Sequence, residues 1–162
     1  VSTDLPSKEA LKEELVRLVA MDLETRERAH RAALEGATHE EAKPENDKDT
    51  RALEQSYLAR GEALRVEELR HGWLAVKAMP TRRLAADDPV TVGALVVTEQ
   101  DGTRVLLLVA PFGGGARLDG GAVQVVTPQS PLGRALVGKR AGDDCELVLA
   151  GRTRAISVSA VG

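Results

Sequence analysis

The sequence predicts an α+β protein: an N-terminal antiparallel coiled-coil helical hairpin followed by a small antiparallel sheet domain with one short helix. Three observations carry this reading. Residues 1–80 hold 13 Lys/Arg, 17 Asp/Glu and three glycines, whereas residues 81–162 hold 9, 8 and twelve, so the chain changes character near its middle. Apolar residues recur at helical spacing in the first half and as short Val/Leu runs in the second. An acid-loaded stretch, 38–49, separates two segments that both read as helix. The expected division is 1–79 for the hairpin with its tip at 38–49, a linker at 80–89, and a C-terminal domain at 90–162.

Asp4-Leu5-Pro6-Ser7 opens the first helix, and Pro6 suits a first turn because its missing N–H costs nothing there. Leu11, Leu15 and Leu18 set its apolar stripe, which continues weakly through Asp22, Thr25, Ala29 and Ala32. Gly36 reads as a C-cap. The second helix starts near Asn46, where Asp47 and Asp49 favour the helix dipole, and ends before Met79-Pro80. Its apolar face is Leu53, Tyr57, Leu64, Leu69, Trp73 and Val76. Each helix spans roughly 28 to 31 residues, or about 42 to 46 Å. Two such helices joined by a short connection read as a coiled-coil hairpin, with half of a dimeric four-helix bundle as the alternative.

Beyond Pro80–Pro89 the strands begin. Val92–Val97 is the first, Asp101-Gly102 turns the chain, and Arg104–Ala110 is the second. Phe112–Gly121 reads as a glycine-rich loop and Ala122–Thr127 as a third strand. Ser130 is the N-cap and Pro131 the first residue of a short helix running Leu132–Val137, stopped by Gly138. Asp144–Ala150 and Thr153–Val161 close the sheet through a Gly151-Arg152 turn.

Composition removes several classes of function. Aromatics are 2% of the chain, namely Tyr57, Trp73 and Phe112, which excludes a stacking platform for single strands. A net charge of −3 excludes a bulk phosphate binder. Cys145 is the one cysteine, so no internal disulfide forms. No apolar run has membrane length, and the chain reads as a cytosolic, monomeric protein with no membrane partner.

The tip holds Glu40, Glu41, Glu45, Asp47 and Asp49 against Lys43 and Lys48, a local −3 equal to the charge of the whole chain. Glu45–Asp49 spaces its acids like the start of a calcium loop. However, Thr50 stands where glycine is needed and Ser56 where a bidentate glutamate is needed. His39 has no second histidine or thiol nearby for a zinc site, since His30 and His71 lie far along the helices. A hairpin tip also offers no pocket to desolvate a general acid, so the chain is not read as an enzyme by itself. One reading is a solvated, capped turn, with Thr38-x-x-Glu41 as a capping box. The other is a pair of carboxylates that complete a second metal's coordination in a partner's catalytic site.

Over most of its length the chain resembles bacterial Gre-type transcript cleavage factors. The likeness is carried by Val125–Asp144, whose Ser130-Pro131-Leu132-Gly133-Arg134-Ala135-Leu136-Val137-Gly138-Lys139 looks like that family's strand, helix and turn, and by Glu45-Asn46 leading into Arg51–Gln55. The resemblance implies an FKBP-like C-terminal domain that docks on RNA polymerase through Ser130, Pro131, Leu132 and Arg134. It also implies a coiled coil that enters the secondary channel, with tip acids that hold a Mg²⁺ jointly with the polymerase. The polymerase itself then cleaves the 3′ end of backtracked RNA, and no cofactor is held tightly by this chain alone. By motif Glu45 takes the place of the second tip acid and Glu41 that of the first, with Pro44 lengthening the spacing by one residue. The extra acids Glu40, Asp47 and Asp49 leave open a channel-binding regulator that inhibits without stimulating cleavage, and a self-associating coiled-coil scaffold is a third reading. Arg17, Arg26, Arg28 and Arg31 on the first helix are candidates for RNA contact or form a solvated face.

Overall fold

The computed structural model describes residues 4–41 and 50–162, with side chains throughout except at 37–41, 50 and 52. Two long helices, α1 (Lys8–Glu41) and α2 (Thr50–Ala78), precede six strands and one short helix. The strands are β1 (Leu95–Gln100), β2 (Thr103–Val109), β3 (Arg117–Leu118), β4 (Val123–Val126), β5 (Asp144–Leu149) and β6 (Arg152–Val161), and α3 (Pro131–Leu136) lies between β4 and β5. The chain forms two compact units, one of Val1–Arg17 with Leu74–Gly162 and the other Leu18–Trp73.

In the first unit the strands form one sheet in the order β3-β4-β2-β1-β6-β5. All pairs are antiparallel except β2–β4, which run parallel from Leu106 opposite Val123 to Val109 opposite Val126. That parallel pair and β3 depart from the expected purely antiparallel sheet. Gly113 (φ 87°) and Gly115 (φ 89°) reverse the chain after β2, so β3 runs back at the edge and β4 enters between it and β2. Two residues are too few for β3 to show a period of two. Both tight turns have positive φ at two successive positions, Asp101-Gly102 as expected and Ala150-Gly151 one residue before the expected place.

Leu95 to Thr98 of β1 are all buried, so both faces of the sheet are covered. One face carries Val96, Leu107, Val109, Val126, Leu147, Ile156 and Val158 in a single core with Leu136 of α3 and with Leu84 and Val90. The other presents Leu95, Val97, Leu108, Leu118, Val123 and Val125. The buried apolar residues left to cover it are Leu11, Leu15, Val76 and Met79, from the helix ends in this unit. Burial of a leucine such as Leu15 contributes about 1.5–3 kcal/mol.

Polar tethers fix these helix ends. Glu14 Oε2 accepts the Asp119 N–H at 2.9 Å, and Lys12 Nζ donates to Met79 O at 2.7 Å, where the carbonyl end of α2 favours a cation. Lys8 Nζ donates to Arg82 O at 2.6 Å and to Gly162 O at 3.1 Å. The helix begins at Lys8, and Ser7 caps it by accepting the Ala10 N–H at 3.3 Å, so Pro6 precedes the cap and is not in the first turn. Helix α1 also runs through Gly36 to Glu41, past the expected C-cap, whereas α2 ends before Met79 as read. The expected start of α2 near Asn46 lies outside the described residues.

In the second unit the buried apolar residues are Val19 and Leu23 of α1 and Val66 and Leu69 of α2, with Trp73 half-buried. Leu18, expected in the seam, is 40% exposed, and Leu53, Tyr57 and Leu64 are 59%, 65% and 68% exposed, so the apolar face read for α2 is wrong in its first half. The residues turned inward there are small or polar: Gln55, Ala59, Glu62 and Ala63 are each half-buried.

Burial holds the Lys8 ammonium below its ordinary 10.5; Glu9 opposes this and Arg82 adds to it. The unfolded chain therefore binds this proton more tightly, and stability rises with pH from the lowered folded value up to 10.5. Urea denaturation of the wild type and Lys8→Met across that window should show the wild type gaining relative to the variant as pH rises. A difference independent of pH would contradict this.

Candidate functional site

Helix α3 is short and its position is set by its N-terminus. Ser130 is in extended conformation (ψ 156°), its Oγ accepts the Gly133 N–H at 3.0 Å and donates to Thr127 O at 2.8 Å, and Pro131 follows at the first helical position. Both capabilities of the Ser130 hydroxyl are thus used inside the fold. Gly133 is buried under the preceding loop, and a Cβ built on it would stand 1.9 Å from Thr127 O. Only glycine admits this approach. The far end of α3 is held as well, since Gly138 N–H donates to Val90 O at 2.8 Å and Val90 N–H to Lys139 O at 2.7 Å. Arg140 is bonded to Asp87 O, and Asp88 accepts from Ala85 N–H at 2.9 Å.

Beside α3 lies an open groove of about 390 Å³, lined by Ser130, Pro131 and Leu132 together with Gly114, Gly115, Gln124–Thr127, Leu147 and Leu149. Three of the four docking candidates read from the sequence thus line one surface, while Arg134 is exposed on the same helix. Pro131 is exposed, Leu132 half-buried, and Leu149 is 48% exposed on the edge strand β5. The groove therefore offers mostly apolar surface, with Gln124 and Thr127 in its lining and no free hydroxyl from Ser130. Leu147 and Leu149 were missed as site residues. The available signal was their spacing of two at the end of a strand, which puts both on one face of an edge.

The tip candidates fall elsewhere. Glu41 ends α1 but its side chain, like all of Glu45, lies outside the described residues. Among the described residues no group of three or more His, Cys, Asp or Glu side chains is placed to hold a metal, and no helix is long and apolar enough to cross a membrane. Arg28 pairs with Glu24 at 2.9 Å and Arg26 with Glu62 at 3.4 Å, so two of the four first-helix arginines are already neutralised, while Arg17 and Arg31 are exposed. Exposed pairs of this kind contribute about 0.2–1 kcal/mol each. Cys145 is buried in the sheet core, and burial is the main cause pushing its thiol up, with Asp144 adding and Lys139 opposing.

No family model matches the chain and no curated protein matches it. Solved structures do. The chain is similar to the GreA factor homolog 1 (Gfh1) of Thermus thermophilus at 18% identity, with 91% of this chain and 94% of that one covered and a TM-score of 0.39. Gfh1 of Thermus aquaticus gives 22% identity, 94% coverage of each chain and a TM-score of 0.40. The elongation factor GreA/GreB from Nitrosomonas europaea gives 16% identity, 59% and 77% coverage, and a TM-score of 0.37.

The seat of α3 is testable. Gly133→Ala is expected to destabilise the protein by about 1–3 kcal/mol in urea denaturation, as forced overpacking does. Ser130→Ala should cost about 1 kcal/mol through loss of the cap. A Gly133→Ala protein as stable as wild type would show that the loop at Thr127 does not hold this helix.

Proposed function

We propose that the chain is a Gre-type factor that binds RNA polymerase through the groove beside α3 and presents Glu41 and Glu45 to the polymerase's catalytic centre. The observation that carries this reading is that the segment bearing the resemblance, Val125–Asp144, folds into a strand–helix–turn, capped at Ser130, with an open and mostly apolar groove along it. The groove suits a partner surface and not a small substrate, being shallow and without an inward-facing charge. Pro131, Leu132 and Leu149 supply apolar contact and Arg134 a charge on the same helix.

Glu41 and Glu45 are carboxylates, the hard oxygen donors that Mg²⁺ takes, and a pair of them with no further protein ligand suits a site completed by a partner. When bound there, the ion polarises a phosphodiester and activates water. This chain's own contribution is to bring the two acids in and hold them, the polymerase performing the cleavage. The nascent RNA 3′ end is then met at the tip, and Arg17 and Arg31 are the first-helix cations available for it. The working compartment is the cytosol, and the working form a monomer.

A second reading has its own observation. Glu40, Asp47 and Asp49 add three acids beyond the pair, and Pro44 lengthens the connection, as suits a factor that occupies the channel and blocks it.

The assay is RNA release from stalled, backtracked complexes. The cleavage reading expects the wild type to accelerate release at least about tenfold and Glu41→Ala/Glu45→Ala to abolish the gain, as loss of a metal-assisting pair should. Equal rates for wild type and double variant would reject it. Reduced RNA synthesis without added cleavage would establish the blocking reading. Leu132→Asp/Leu149→Asp should weaken binding to purified polymerase at least about tenfold, as burying unpaired charge at an interface does. Undiminished binding would remove the groove from the interface. A dimeric mass in sedimentation, with no binding to polymerase, would favour the scaffold.

A further inference from the structure

Among the described side chains of Leu18–Trp73 the buried apolar ones lie at one end, Val19 and Leu23 on α1 and Val66 and Leu69 on α2. Among the described side chains of residues 24–36 and 51–65, none is buried. What crosses the seam there is charge. Arg26 pairs with Glu62 at 3.4 Å and Glu27 with Arg70 at 2.8 Å, each side chain about a third or more exposed. Two polar atoms are shut off from solvent with no hydrogen-bond partner, His30 Nδ1 and Glu62 Oε2. Both ion pairs join α1 to α2, Arg26–Glu62 within 24–36 and 51–65 and Glu27–Arg70 from the first helix to the packed end of the second. His30 lies within 24–36 and Glu62 within 51–65, so each helix of this segment carries one unsatisfied atom.

We propose that residues 24–36 and 51–65 open as a cooperative segment of their own, the two helices parting there while Val19, Leu23, Val66 and Leu69 stay packed. Closing this segment removes little apolar area from water and strands two polar atoms, while opening it returns both to solvent. Each piece is of a length that is marginal as an isolated helix, so parting and local melting go together. The ion pairs that favour closure are screened by salt. The segment is therefore a clasp whose closure depends on ionic strength and on any charged surface that competes for Arg26, Glu27, Glu62 and Arg70. The inference does not rest on the function proposed above.

Amide hydrogen exchange on the full chain, read by mass spectrometry at low salt and at about 1 M salt, tests it. The expected result is protection at 24–36 and 51–65 at least about 10²-fold below that at 18–23 and 66–73, with high salt lowering only the former. His30→Leu/Glu62→Leu removes both stranded atoms and lays apolar surface in the seam. It should raise protection of the outer segment at least about tenfold and leave the packed end unchanged. Equal protection in the two regions, or salt shifting both together, would overturn the proposal. So would a double variant whose outer protection stays the same or falls. The wild-type comparison decides alone should the variant not fold.

Discussion

The central strand β1 imposes the constraint on which its unit depends. Four successive residues, Leu95 to Thr98, are buried, so a strand with an apolar residue on each side needs a cover on each side. A two-faced sheet of this size cannot leave either face wet without exposing a contiguous apolar patch. Helix α3 and the residues Leu84 and Val90 that precede the sheet close one face. The ends of the long helices contribute the remaining buried leucines, which explains why Leu11 and Leu15 belong with the sheet and not with the rest of the hairpin. Thr98, the one buried polar residue of the strand, is satisfied by donating to Val105 O at 3.1 Å and accepting from Gln100 at 3.2 Å.

That need for cover also creates the groove. Six residues of α3 cannot span a sheet face, and the helix is pulled close by Gly133 against Thr127. What it leaves uncovered is the strip between α3, the 113–115 reversal and the end of β5. Two of the polar groups nearby are used by the fold, Ser130 Oγ by its cap and Thr127 O by Ser130, which leaves a lining that is mostly apolar with Gln124 and Thr127 in it.

How much of this was legible follows from which signals are local. Ser130-Pro131 announced its helix correctly because capping is decided within four residues, and Asp101-Gly102 announced its turn for the same reason. The two helices were legible from charge and the scarcity of glycine. Their inner faces were not. Leu53, Tyr57 and Leu64 satisfy helical spacing as well as Val66 and Leu69 do, and only the position of the second helix decides which stripe it covers. Gly36 looked like a stop, yet glycine within a helix costs only about 1 kcal/mol, too little to end one. The parallel pairing of β4 was invisible because it depends on a two-residue strand and on glycine reversals that a sequence pattern records only as loop. Of the groove lining, Ser130, Pro131 and Leu132 lie in the motif read from the sequence, while Leu147 and Leu149 join them only through the sheet order that puts β5 at the edge.

The chain thus treats its two kinds of surface oppositely. In the sheet unit nearly every inward position is aliphatic and polar atoms are spent on internal hydrogen bonds, which gives a surface fixed in shape. In the outer hairpin, apolar side chains as large as Tyr57 and Leu64 face solvent while Glu27, Arg70 and Glu62 occupy the seam. Exchanging the two sets would have closed the helices more firmly, since apolar burial outweighs screened ion pairs of this exposure. A pattern that forgoes that closure costs stability along the hairpin and leaves apolar contact surface on its outside. This suits a segment that does its work against another molecule better than one selected for stability by itself.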